Sequence, residues 1–380
     1  GQLQSLKQVL RDAVASGDVR ILPEHQERTS FHWIDNLRDW CISRQIWWGH
    51  RIPVYYRGQE EMYVGHRPPL GDDGAGWEQD PDTLDTWFSS GLWTFSTLIA
   101  PELAKNPALG LEALLAQSAA FQKFHPTPVM ETGYDILFFW VARMILMTTY
   151  ATGEVPFETV YLHGLVLDKN GHKMSKSKPE TAVDPLEVIA EHGADVLRLS
   201  MLIGNAPGQD LKLTPERMVG SKRLVNKLWN ASKLVDRTVG AILGDARRRG
   251  APPRPNGAEH PVNRFLLSRL SALVSRATER LEAYAFGDAA ELVRQSFWTE
   301  FCDFYLEAIK VEPLSEEPET ADVLLYALAT YLELFHPFMP FVTEYLWGAL
   351  IADPKAVDTD LLIRASWPEA DPVHDYPEAA

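Results

Sequence analysis

Two cysteines, Cys41 and Cys302, are all that the 380 residues contain. That excludes a disulfide framework and any four-cysteine zinc site, and it fits a reducing cytoplasm. The eleven histidines never fall into an HExxH spacing, so the helical zinc-protease arrangement is excluded as well. No GxxxxGK[ST] occurs, hence no P-loop. Positive charge is scarce: 36 Lys and Arg stand against 52 Asp and Glu, a formal net charge of −16. A surface that grips nucleic acid all over does not fit that balance; a local basic patch on an acidic body does. The most apolar run, ILFFWVARMILM (Ile136–Met147), is interrupted by Arg143. It is shorter than the ~20 apolar residues of a bilayer span, so no membrane association is expected. No signal peptide opens the chain. Gly1–Val19 reads instead as an amphipathic helix already under way, without an initiator Met. The expectation is a fragment of a longer protein.

What is present reads as a soluble globular chain. Apolar residues make up 46 % and charged residues 23 %, and the length suits two or three domains of ~100–200 residues each. Strand and helix signals alternate up to about Leu213. VRILP, RIPVYYR and MYVG read as strands, the last two as a pair. TSFHWIDNLRDW reads as a helix capped by Thr29 or Ser30. Leu109–Gln122 is helical by composition. PTPVMETG reads as a strand ending at Gly133, YDILFFWVARMILMTTYA as a buried helix, and TVYLHGLVLD as one strand. After Leu213 strand signals vanish. Amphipathic helices follow over Pro215–Val239, Val262–Tyr284, Asp288–Lys310, Thr320–Phe335 and Met339–Ile351. The Pro/Arg/Gly stretch Gly244–Pro261 interrupts them as a linker. The expected architecture is therefore α/β followed by all-α: residues 1–212, a helical part 213–352, and a tail 353–380.

Three stretches carry chemistry. ETGYDILFFW places a glycine at a strand end and an acid at a helix start. In doubly wound sheets ligands sit beyond the carboxyl ends of the strands. There Gly133 lets a ligand approach the backbone, and Asp135 can accept from ribose hydroxyls; an ordinary acid in a first helical turn reads the same way. Ile136, Trp140 and Arg143 recur at i, i+4, i+7, and Trp87 follows Asp82 and Asp85. Core packing is the leading reading of the residues for these tryptophans, and pocket walls the alternative. GHKMSKSKPE (Gly171–Glu180) is the oddest stretch. Three lysines alternate with serines and a methionine between a strand and a helix, an arrangement that can close ammonium groups over a polyphosphate.

KMSKS (Lys173–Ser177) resembles the second signature of the class I aminoacyl-tRNA synthetases. DWCISRQIWWGHRIP, DPDTLDTWFSSGLW, GYDILFFWVARMI, HGLVLDKNGHKMSKSK and LFHPFMPFVTEYLW follow the order of the valyl branch of that family. The resemblance runs over nearly the whole chain. It implies a partial Rossmann-like catalytic domain with a connective segment, then an anticodon-binding helical bundle. It implies a valine–tRNA ligase that uses ATP with Mg2+, activates valine, and charges tRNA(Val) in the cytoplasm. Lys173, Lys176 and Ser175 would act on the ATP phosphates, with Met174 packed beneath. Gly133 and Asp135 would take the ribose, and Gly164 and Leu165 would lie against the adenine. Trp87, Ile136 and Trp140 would line the valine pocket. Lys222, Arg223, Lys227, Lys233 and Arg247–Arg249 would meet tRNA phosphates. Trp298, Phe301, Phe304 and Tyr305 are expected in the bundle core.

The departures from the family pattern are specific. No HIGH-type His-x-Gly-His precedes Asp39, so the half of the catalytic domain that carries it, with the editing insertion, is expected to be a separate chain, removed, or lost. Leu167 stands where an arginine is usual, and Pro179–Glu180 replace Gly-Asn. No cysteine stands in the stretch just after the RIP segment, where some relatives bind zinc, so no zinc is expected. A non-catalytic tRNA-binding module, or an isoleucyl or leucyl relative, are the alternatives. The retained lysine loop disfavours the first, and RQIWWGHRIP with DILFFWVARM disfavours the second.

Overall fold

Parallel pairing organises the first part of the chain, and helix packing the second. The computed structural model describes residues 5–69, 76–168, 170–174, 183–244, 250, 254–311, 313–353 and 360–376. It divides into two compact units, Gly1–Gly164 and Leu165–Ala380. The first runs α1 (Leu6–Ala15), β1 (Arg20–Leu22), α2 (Glu24–Asp35), β2 (Ser43–Arg44), β3 (Val54–Arg57), β4 (Glu61–Val64), β5 (Glu78–Gln79) and β6 (Thr83–Leu84). It continues with α3 (Thr86–Ser96), α4 (Pro101–Ala104), α5 (Leu111–Gln117), α6 (Ala119–Phe124), β7 (Thr127–Gly133), α7 (Ala142–Thr152) and β8 (Phe157–His163).

The parallel sheet has the order β1-β8-β7, with Arg20 opposite Thr159 and Gly133 opposite His163. Its central strand buries Phe157, Thr159, Val160 and Leu162, so both of its faces are partly covered. The apolar three, Phe157, Val160 and Leu162, join Leu10 and Val14 of α1 and Met144 and Ile145 of α7 in one core. Burial of each is worth roughly 1.5–3 kcal/mol, which holds both helices to the sheet. A small antiparallel sheet, β4-β3-β5, and the pair β2-β6 occupy the connective segment.

Several expectations change here. The helix expected to start at Thr29 or Ser30 starts at Glu24, after Pro23. Thr29 sits mid-helix and donates back to the His25 carbonyl (3.2 Å), while Ser30 is buried. The Leu109–Gln122 helix is two, α5 and α6, broken at an extended Ser118. The segment after Gly133 is not one α-helix. Tyr134–Ile136 form a 3₁₀ turn and Leu137–Val141 a wide π-type turn before α7 begins. TVYLHGLVLD is not one strand either: β8 ends at His163, and Val166–Leu167 (β9) pairs elsewhere.

In the second unit, β9 pairs in parallel with β10 (Leu211–Lys212). Between them run α8 (Pro185–His192) and α9 (Ala194–Leu202). Beyond lie α10 (Pro215–Leu243), α11 (Pro261–Glu282), α12 (Phe286–Gln295), α13 (Leu306–Ala308), α14 (Pro318–Phe335) and α15 (Pro340–Leu350). Another π-type stretch, Ser296–Tyr305, joins α12 to α13. The helix α14 is apolar on nearly every face and lies inside the bundle, with Val323, Leu324, Leu328, Leu332 and Phe335 fully buried. Its buried Tyr331 hydroxyl meets Ser296 Oγ at 2.9 Å, so that polar group is satisfied. The architecture is α/β followed by all-α. No helix among the described residues is long and apolar enough to cross a membrane.

Candidate functional site

In the first unit the strands β7 and β8 end side by side at Gly133 and His163. Gly133 has φ −65°, open to any residue. The turn itself does not require glycine there, and Gly133 is buried. Half-buried Asp135 follows within the 3₁₀ turn. Beside them His163 Nδ1 donates to its neighbour Gly164's carbonyl (2.7 Å), and its Nε2 stands 3.3 Å from Glu131 Oε1.

The tryptophans meet. Asp85 caps α3 by accepting from the Trp87 N–H (2.7 Å), and buried Asp85 is itself ion-paired with Arg44. The helix α3 packs on α7, where Thr94 Oγ1 and Thr148 Oγ1 form a buried pair at 2.6 Å. This fixes Trp87 against Trp140, with ring centroids 6.4 Å apart and tilted 50°. The Trp140 indole N–H is buried without an acceptor among the described residues. The π-type turn means that Ile136, Trp140 and Arg143 do not stack at regular α-helical spacing, contrary to expectation. Ile136 remains half-buried ahead of the turn. The Arg143 guanidinium lies 3.7 Å over the Trp40 ring. Burial lowers the pKa of Arg143, with Asp85 opposing and Arg44 reinforcing the shift.

In the second unit Leu167 bridges to Lys173 across a tight turn. Buried Asp168 organises it: Oδ1 accepts from the Asn170 and His172 N–H groups, each at 2.8 Å. Those bonds, His172's first, hold the carboxyl below its usual range. Gly171, with φ +86°, supplies the left-handed residue the turn needs. The signal was present as Asp-Lys-Asn-Gly, an Asx-turn pattern that the sequence reading passed over. Exposed Lys173 follows, and Met174 packs on Val188, Val196, Leu197, Leu213 and Met218. Leu165 donates its N–H to Asp210 Oδ1 and accepts from Leu211 N, both at 2.8 Å. Its backbone is thus a van der Waals surface rather than a hydrogen-bonding one. Ser175, Lys176, Pro179 and Glu180 lie outside the described residues, as do Lys169 and Arg247–Arg249.

On α10, Lys222, Arg223 and Lys233 are exposed. Lys227 is engaged: its ammonium pairs with Asp303 at 2.6 Å and lies 4.2 Å over the Trp298 ring. A cavity of about 530 Å³ opens here, lined by Arg223, Asn226, Asn230, Trp298 and Cys302 among others. Phe301 and Tyr305 are core, as expected. Trp298 lines the cavity and Phe304 is exposed, so neither is simply core. Among the described residues no group of three or more side chains is placed to hold a metal ion.

Residues 2–214 match the family model of tRNA synthetases class I (I, L, M and V), and residues 263–379 match the anticodon-binding domain of tRNA ligase. The chain belongs to the class I aminoacyl-tRNA synthetases. Among its relatives, a valine–tRNA ligase of Dehalococcoides mccartyi is 42 % identical over 97 % of this chain and 40 % of its own length. One of Carboxydothermus hydrogenoformans is 41 % identical over 100 % of this chain and 41 % of its own. The chain spans about two-fifths of the curated synthetases it matches. Solved synthetases share the fold. An Agrobacterium radiobacter K84 LeuRS in a ternary complex with tRNA and LeuAMS aligns with TM-score 0.69 at 18 % identity, over 92 % of this chain and 46 % of that one. A Mycobacterium tuberculosis methionyl-tRNA synthetase in complex with methionyl-adenylate aligns with TM-score 0.67 at 21 %, over 92 % and 62 %.

Proposed function

We propose that this chain is the part of a valine–tRNA ligase that supplies the lysine loop and the tRNA-facing bundle. Its reach would be 1–212 for the catalytic portion, 213–352 for the anticodon-binding bundle and 353–380 for the tail. The observation that carries the reading is the Trp87–Trp140 pair, two aromatic walls held together in the unit whose parallel strands end at Gly133 and His163. Such a pair, with Ile136, suits a small branched aliphatic side chain. Relatives named as valine–tRNA ligases along almost the whole chain support valine over isoleucine or leucine.

In the reaction the valine carboxylate oxygen attacks the α-phosphorus of ATP, the bond to the pyrophosphate oxygen breaks, and valyl-adenylate forms. A ribose hydroxyl at the tRNA(Val) terminus then attacks the acyl carbon, and AMP leaves. Magnesium would enter as part of the substrate, on the ATP phosphate oxygens. The chain needs no nucleophile of its own; positioning and charge stabilisation suffice. Asp135 would accept from the ribose hydroxyls, and Gly133, Gly164 and Leu165 would offer bare backbone to the adenosine. Lys173 and Lys176, assisted by Ser175, would meet the negative charge that builds on the departing pyrophosphate. The Asp168 turn sets the direction in which Lys173 leaves the fold, and Met174 anchors the loop's start to the apolar cluster. The cytoplasm is the compartment in which charged tRNA is used.

The test is valine-dependent exchange of pyrophosphate into ATP by a protein in which this chain is joined to a segment bearing the HIGH-type histidines. Exchange is expected with valine above other amino acids. Lys176→Ala should lower it by ~10²–10³, the usual loss for one preorganised transition-state donor. Exchange that prefers another amino acid, or that ignores Lys176→Ala, would overturn the reading.

A further inference from the structure

An aromatic pair on the bundle is assigned by nothing above. Trp229 of α10 stacks on Tyr345 of α15, with ring centroids 5.3 Å apart and 25° between planes. Tyr345 is 62 % exposed, and Phe341, one turn earlier on α15, is 65 % exposed. Trp229 lies between the two family matches, outside both. Arg223, Asn226, Lys227, Asn230 and Leu234 of α10 turn to the Trp298 cavity. Lys222, Trp229 and Lys233, seven and four residues apart, share the adjacent face and are all exposed.

Charge selects the occupant. In a chain of net charge −16, α10 carries six cationic residues against two acidic ones. The acid beside Tyr345 is turned away, because Glu344 accepts from the Leu362 and Ile363 N–H groups at 2.8 and 3.0 Å. Lys222 precedes Trp229 by about 10 Å along the helix axis and Lys233 follows by about 6 Å, at 1.5 Å per residue. An aromatic face with a cation on each side suits a base flanked by phosphates. An apolar peptide would gain nothing from the two lysines, and a second copy of the chain would bring a net charge of −16 against its like.

We propose that the Trp229–Tyr345 pair is a stacking platform for an unpaired nucleobase of tRNA, with Lys222 and Lys233 taking the flanking phosphates. This rests on the reading of the bundle as tRNA-facing. The full chain is titrated with a tRNA(Val) transcript at several salt concentrations. Trp229→Ala should weaken binding about 5- to 100-fold, the loss of one stacked base. It should leave the salt slope unchanged, because no counterion is involved. Trp229→Phe should retain most of the affinity, and Tyr345→Ala, at a more exposed position, should repeat the loss. Lys222→Glu and Lys233→Glu should instead flatten the salt slope. Wild-type affinity in both Trp229→Ala and Tyr345→Ala would overturn the platform alone. Self-association of the chain that Trp229→Ala abolishes, without any change in RNA binding, would overturn it in favour of a contact between copies. No binding of the transcript by the wild-type chain at any salt would remove the platform together with the tRNA-facing reading.

Discussion

The substitution Gly287→Ala should damage the second unit far more than its size implies. Gly287 lies in the first turn of α12, where the helix backbone approaches the end of α9. A Cβ at this position would fall well inside van der Waals contact with the Asn205 carbonyl oxygen and only 2.7 Å from that of Leu202. Neither obstacle is a side chain that can swing aside. Either α12 shifts, or the turn after α9 does. A shift of α12 drags Ala289, Ala290 and Val293, all essentially fully buried, out of register with the core. Overpacking of this kind costs ~1–3 kcal/mol, and two backbone carbonyls as obstacles place it at the top of that range. For a unit of this size 3 kcal/mol corresponds to a fall of roughly 6–12 °C in melting temperature. Gly220→Ala and Gly240→Ala on α10 are the controls. Nothing lies within 4 Å of a Cβ at either position, so the same methyl should raise stability by ~0.4–1 kcal/mol. Scanning calorimetry on the three variants gives opposite signs for one chemical change. A Gly287→Ala protein that melts with the wild type would refute the close-approach argument.

Two further outcomes follow from groups buried in the bundle. Burial pushes the Glu333 carboxyl up to about 7 from its ordinary 4.5, with Arg254 opposing. The folded state therefore holds this proton more tightly than the unfolded one. Its stability contribution is complete below pH 4.5 and is lost as pH rises through 7, by about 3 kcal/mol. Glu333→Gln should remove that slope from denaturant midpoints measured between pH 5 and 8, and an unchanged slope counts against it. Burial likewise pushes the Cys302 thiol up to about 12, while Cys41 is exposed. A thiol reagent at pH 8 should titrate one cysteine in the native protein and two in denaturant; two in the native protein would contradict the burial.

Legibility followed the range of the interactions. The helix α14 could be read because its apolar pattern is local and complete. The strand β7 could be read because it ends on a glycine and is followed by a helical period. The turn types of Tyr134–Val141 could not be read. YDILFFWV contains no glycine or proline to announce a 3₁₀ turn giving way to a π-type one, and neither turn type leaves a mark in apolar periodicity. The start of α2 was misplaced because Thr29 and Ser30 have cap chemistry. The position was taken by Pro23, with Glu24 and Glu27 in the first turn, a local signal that was available.

The cations of α10 mark where such reading stops. Their concentration on one helix of an acidic chain is visible in composition alone. Which of them can reach a ligand is not, because Lys227 is engaged by Asp303 and Trp298, residues of another helix that only the tertiary fold brings near. An ammonium already paired at 2.6 Å and stacked on an indole is largely neutralised within the fold and gains less from a phosphate than an unpaired one. Lys222 and Lys233 make no ion pair among the described residues, and they flank an exposed aromatic pair. Four lysines and arginines that are equivalent in sequence thus divide by physical setting. Lys227 orders the wall of the Trp298 cavity, Arg223 lines that cavity, and Lys222 and Lys233 are the exposed pair on which the proposed salt-dependent contact rests.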